Sequence, residues 1–99
     1  MKVAELLLES GADPNARDDN DDTPLHLVSR YGHVEVAEIL LDRGVDANAR
    51  NNDNAIPLHF ASQGVHPEIV RMLLDRRADV TARDKNCKTP LHCMLEGAL

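Results

Sequence analysis

The sequence predicts an all-α repeat solenoid of helix-turn-helix units joined by β-hairpin or turn loops, on three observations. Thr23-Pro24-Leu25-His26, Ile56-Pro57-Leu58-His59 and Thr89-Pro90-Leu91-His92 stand 33 residues apart, and a fixed period of this size marks a stacked array of one small unit. Within each period the apolar residues fall at helical spacing: Val3-Ala4 with Leu7-Leu8 recurs as Val36-Ala37 with Leu40-Leu41 and as Ile69-Val70 with Leu73-Leu74. Finally, 42% of the 99 residues are hydrophobic but only 2% are aromatic. The core must therefore come from Leu, Val, Ile and Ala, which suit thin layers.

The elements follow in order. Residues 1–17 read as a half repeat: a helix around Leu7-Leu8, ended by Gly11 at a left-handed position, then a polar turn. Residues 18–50 form a full repeat. Thr23 caps a first helix whose first residue is Pro24, where a missing N–H costs nothing, and Gly32 stops it. A second helix begins near Val34, carries Glu35 where the helix dipole favours acid, and ends at Gly44. Residues 51–83 repeat the plan with Pro57, Gly64, Pro67 and Glu68. Residues 84–99 are a second half repeat, with a first helix from Pro90 towards Gly97. The stretches 12–22, 45–55 and 78–88 are the connecting hairpins or turns. Two whole repeats thus lie between two halves, an arrangement that fits either a piece of a longer array or half repeats that complete each other between molecules.

Three departures from regularity carry expectations. Ile56 replaces the capping Thr, which should weaken that helix start by roughly 1 kcal/mol. Arg77 stands where Gly11 and Gly44 stand, so a non-Gly residue must accept a left-handed backbone or the turn must differ. Asp21, Asn54 and Cys87 stand 33 residues apart at one position of the connecting stretches, and of the three Cys87 is the least suited to a left-handed backbone.

The Thr-Pro-Leu-His sequences, His33 and His66 before the second helix, Leu40-Leu41 and Leu73-Leu74, and Gly11-Ala12-Asp13-Pro14-Asn15-Ala16 together resemble the ankyrin repeat family over essentially the whole chain. The resemblance implies a right-handed solenoid acting as a protein-binding module without chemistry of its own. It also implies that partners dock on the concave side, formed by turn tips and the first-helix face. Those positions here are Arg17, Asp19, Asn20, Asp22, Arg30 and Tyr31; Arg50, Asn52, Asp53, Ala55, Gln63 and Gly64; and Arg83, Lys85, Asn86 and Lys88. Tyr31 is the only Tyr and adjoins Arg30, and both types are enriched where binding energy concentrates. Tip charge runs from acidic (Asp19, Asp22) through neutral to basic (Lys85, Lys88), with Arg17, Arg50 and Arg83 behind. By the same resemblance, Asn15 and Asn48 occupy the position that asparaginyl hydroxylases modify in some family members.

Other chemistry finds little support. His26, His59 and His92 recur one per repeat beside a helix start, where an imidazole can bond the backbone and the capping hydroxyl, so repetition itself accounts for them. Zinc needs several ligands at ~2.0–2.1 Å, and histidines one layer apart cannot share an ion. An EF-hand loop opening at Asp18 would need Glu at its twelfth position and Gly at its sixth, which are Ser29 and Thr23. No triad or phosphate loop is present. We therefore expect no enzyme, no metal and no cofactor.

The formal net charge is −6. Residues 1–50 hold 11 acids and 5 bases, and residues 51–99 hold 6 of each. Such a balance disfavours nucleic acid, which needs a basic patch. No apolar run is long enough to span a membrane. Two cysteines, Cys87 and Cys93, are too few for a disulfide framework and read as reduced thiols in a cytoplasmic or nuclear protein. The partner is then another protein. The alternatives are a self-associating segment, with Val3, Leu6, Leu7, Leu91, Met94 and Leu95 bare at the two ends and meeting head to tail, or a regulatory fragment of a larger protein.

Overall fold

A computed structural model describes residues 2–97. Six helices follow in order: α1 (Lys2–Glu9), α2 (Pro24–Tyr31), α3 (Val34–Asp42), α4 (Pro57–Gln63), α5 (Pro67–Asp75) and α6 (Pro90–Gly97). The first helices α2, α4 and α6 pack side by side in one layer, and α3 and α5 form a second layer behind them. The molecule is elongated, 38 × 25 × 22 Å, as expected when each unit touches only its neighbours.

Each first helix starts at its Pro. Thr23 is extended (φ −86°, ψ 165°), and its hydroxyl accepts from the His26 N–H at 3.3 Å. In return the His26 Nδ1 accepts from the Thr23 backbone N–H at 3.1 Å. Two of the unpaired N–H groups at the helix start are thereby satisfied reciprocally. Ile56 has no hydroxyl to offer, yet its own N–H still reaches the His59 Nδ1 at 3.0 Å. Only half of the cap is therefore missing. The Ile56 side chain is fully buried in the core instead, a gain that the expected weakening left out.

The connecting segments are turns: no residue among those described forms a strand, so the hairpin expectation reduces to its tips. Asp18 N–H donates to the Asp22 carbonyl and Asp21 N–H to the Asp18 carbonyl, a pattern repeated at Asn51/Ala55/Asn54 and at Asp84/Lys88/Cys87. Inside each turn the Oδ1 of Asp18, Asn51 or Asp84 accepts two backbone N–H groups at 2.9–3.0 Å. The acidic run at Asp18 is thus organised by its own backbone.

All three tip residues, Asp21, Asn54 and Cys87, have φ near +60°, so Cys87 adopts the same turn as its counterparts. Arg77 takes φ +66°, where Gly11 and Gly44 take +103° and +79°. One reading needs correcting. Gly64 does not repeat the role of Gly32: it lies at φ −76°, and Val65, which stands 33 residues after Gly32, takes φ +55°. Gly64 answers a different demand, since a Cβ there would come within 2.4 Å of the His66 ring, which would have to move.

The core lies between the two layers. Leu25, Ile56, Leu58, Ile69 and Leu73 are its largest fully buried members, and Ala37 and Ala61, also fully buried, let adjacent units approach closely. Burial of this kind contributes about 25 cal/mol per Å² of apolar surface. Leu8 is the part of α1 that packs against this core.

Candidate partner-binding surface

The histidines belong to the scaffold. With its Nδ1 accepting from Thr23, the His26 imidazole carries its proton on Nε2, which donates to the Ala55 carbonyl of the next unit at 2.9 Å. His59 does the same to the Lys88 carbonyl at 2.9 Å. Each ring therefore stitches a helix start to the following turn. Burial is the main influence on His26 and pushes its pKa below the ordinary value of 6.5, which keeps the ring neutral.

Two arginines of the anticipated stripe join units in the same way. Arg17 Nη1 donates to the Arg50 carbonyl at 2.7 Å and to Asp21 O at 3.1 Å. Arg50 Nη1 donates to the Arg83 carbonyl at 3.2 Å and to Asn54 O at 2.8 Å. Arg83 is exposed, and its guanidinium has no hydrogen bond or ion pair among the described residues.

The turn tips form a continuous row. Asn52 N–H donates to the Asn20 carbonyl at 3.1 Å, and its side chain reaches the Asp19 carbonyl at 3.3 Å. Lys85 N–H donates to the Asp53 carbonyl at 2.9 Å, and Lys85 Nζ pairs with Asp53 Oδ1 at 2.9 Å. Asp19, Asn20, Asn52, Asp53, Lys85 and Asn86 thus share one exposed edge.

Arg30 and Tyr31 do not join this row. They lie at the far end of α2, about 10 Å along the helix from its start, with Gln63 in the corresponding region of α4. The Arg30 guanidinium sits 4.4 Å from the Phe60 ring centroid, a cation–π contact that fixes it. Tyr31 is exposed, its ring 6.3 Å from that of His33.

Two anticipated contact residues are withdrawn from the surface. Asp22 is only 2% exposed, and its carboxylate accepts from Asn51 Nδ2 at 2.8 Å. Ala55 is buried, with its carbonyl occupied by His26. The tip gradient is correspondingly shallower. Asp22 contributes no exposed charge, Lys85 pairs with Asp53, and Lys88 pairs with Glu96 at 2.8 Å. The Glu96 carboxylate, by hydrogen bond and by charge, raises the Lys88 pKa.

Sequence reading missed the Asp22–Asn51 contact, although a signal was there. Asn51 interrupts the acids Asp18 and Asp84, and Asp22 is the acid where Ala55 and Lys88 stand. The two departures compensate each other.

Of the two asparagines at the second turn, Asn48 is engaged on both atoms: Nδ2 donates to the Arg77 carbonyl at 3.1 Å and Oδ1 accepts from Asp79 N–H at 2.8 Å. Asn15 is exposed. Cys87 is an exposed free thiol. Cys93 is buried, and burial raises its pKa, which suppresses the thiolate. No group of acids, histidines and cysteines among the described residues could hold a metal ion, and no described helix is long and apolar enough to cross a membrane.

The family model described as "Ankyrin repeats (3 copies)" matches residues 1–84. Comparison with curated proteins finds no match.

Proposed function

Because the chain belongs to the ankyrin repeat family, whose members are generally protein-interaction modules and typically non-catalytic, we propose that it binds another protein through its turn-tip row and the exposed ends of its first helices. The observation that carries this reading is the tip row itself. Hydrogen bonds between successive units hold its backbone, so the exposed side chains on it are presented with little ordering left to do on binding. Arg30 and Tyr31 form a second contact area, with Arg30 pre-placed on Phe60. Arg17 and Arg50 serve the scaffold, leaving Arg83 as the free member of the stripe. Free thiols at Cys87 and Cys93 suit a reducing compartment, the cytoplasm or nucleus. Asn15 is the better acceptor for hydroxylation, because the Asn48 amide would have to leave two bonds.

An unbiased pull-down with the intact chain supplies the partner. Tyr31→Ala and Arg30→Ala should then lower affinity about tenfold or more, with an unchanged denaturation midpoint for Tyr31→Ala. A double Asp19→Lys, Asp53→Lys variant tests the tip row independently. Unaltered affinity in all three overturns the assignment.

A further inference from the structure

The C-terminal face of the molecule carries a groove of about 580 Å³ lined by residues of α4, α5, α6 and the turn between α5 and α6, among them Leu58, Val70, Leu74, Val80, Leu91 and Met94. The repeat says what fits it. Thirty-three residues earlier, the same positions form the seat on which α5 packs. There Leu41 and Leu58 are each 2% exposed, whereas their counterparts Leu74 and Leu91 are 42% and 63% exposed. The groove is thus a seat for a second helix of the α3 and α5 type. Such a helix lies bare at the other end: in α5, Ile69 and Leu73 are fully buried, while the residues of α1 at the same positions, Val3 and Leu7, are 65% and 58% exposed.

The polar groups at the two ends match as well. The arginine ladder runs Arg17 to the Arg50 carbonyl and Arg50 to the Arg83 carbonyl. It leaves a guanidinium donor on Arg83 at one end and the Arg17 carbonyl at the other. The histidine series runs His26 to Ala55 and His59 to Lys88. It leaves His92 Nε2 without a partner among the described residues, with the Asp22 carbonyl as the next acceptor in register. Charge also fits. Where Glu38 and Asp75 line one cleft between α3 and α5, a seated α1 would bring Glu9 and Arg71 to the corresponding positions. The pair formed by Arg76 and Asp42 would be lost, since Ser10 occupies the arginine position.

We propose that this face binds a second copy of the chain, with α1 of one copy seated in the groove of the next. The contact is head to tail, so every assembly keeps one bare α1 and one empty groove, and growth does not stop at two. This inference is independent of the partner-binding reading, and either can fail without the other.

Light scattering on the 99-residue chain, with reductant present to keep Cys87 from cross-linking, should give an average mass that rises with concentration past two copies. Leu7→Glu and Leu91→Glu change exposed residues at opposite ends, and each alone should be monomeric, with an unchanged circular dichroism spectrum. Mixed together they should form a one-to-one dimer, because each variant retains the end the other has lost. Arg71→Glu should weaken assembly about fivefold. A monomeric wild type at every concentration overturns the proposal. Continued assembly of either single variant, or a mixture that stays monomeric, overturns it equally.

Discussion

Single residues in this chain act mainly through partners one unit away. Asn51 is nearly buried and donates to a fully enclosed Asp22. Asn51→Asp would set two carboxylates against each other, so one must hold a proton or the contact must open. We expect a loss of roughly 2–3 kcal/mol at neutral pH, read as a lower urea midpoint and partly recovered on acidification. Ile56→Thr sets two opposing effects in competition. A restored capping hydroxyl contributes ~1 kcal/mol, while removing a buried methylene and exchanging a methyl for a hydroxyl together cost about 2 kcal/mol. The substitution should therefore destabilise by about 1 kcal/mol in chemical denaturation, contrary to what the Thr23 and Thr89 pattern suggests. His26 sets a pH dependence. Its folded pKa lies below 6.5, so between the two pKa values the unfolded chain binds more protons, and stability falls as pH drops from 6.5 through the folded value. Urea midpoints measured from pH 7 downward should show this loss, and His26→Gln should flatten it.

At the scale of the element, helix starts were legible in the sequence and some helix stops were not. A Pro at the first helical position has a local cause, and α2, α4 and α6 begin at Pro24, Pro57 and Pro90. Gly64 misled because two demands for glycine fall on adjacent positions. One is for a left-handed backbone, met by Gly32 and by Val65; the other is for space beside His66, met by Gly64 and also by Gly32. The two demands come apart only in three dimensions, at the backbone of Val65 and beside the ring of His66. For the candidate surface, polarity correctly placed the tip row outside, but it also placed Asp22 there, because the partner that buries it lies 29 residues away. The left-handed positions yield a prediction. A non-Gly residue there carries about 1–2 kcal/mol of strain, partly offset by the extra freedom glycine brings to the unfolded chain. Val65→Gly and Arg77→Gly should each raise stability by about 1 kcal/mol, with additive shifts in the thermal midpoint, since the sites share no contact that would couple them.

Across the whole molecule, stability should be graded along the array rather than uniform. In a solenoid each unit is supported by its neighbours. Helix α4 packs against α2, α5 and α6, whereas α1 contributes chiefly Leu8 to the core and leaves Val3, Leu6 and Leu7 exposed. Amide hydrogen exchange on dilute protein should therefore protect α4 and α5 most and α1 least, because local opening costs least where the fewest apolar contacts are broken. Truncation should follow the same grading. Leu58→Ala, at a residue only 2% exposed, should cost about 2–5 kcal/mol, and Leu91→Ala, one unit on and largely exposed, within about 0.5 kcal/mol. The grading also supplies a check on assembly that needs no mass measurement. If α1 of one copy seats in the groove of the next, concentrating the protein should slow exchange most in α1 and α6, and least in α4, which is already the best protected. Protection that grows evenly over all six helices, or not at all, would mean that the two ends do not meet.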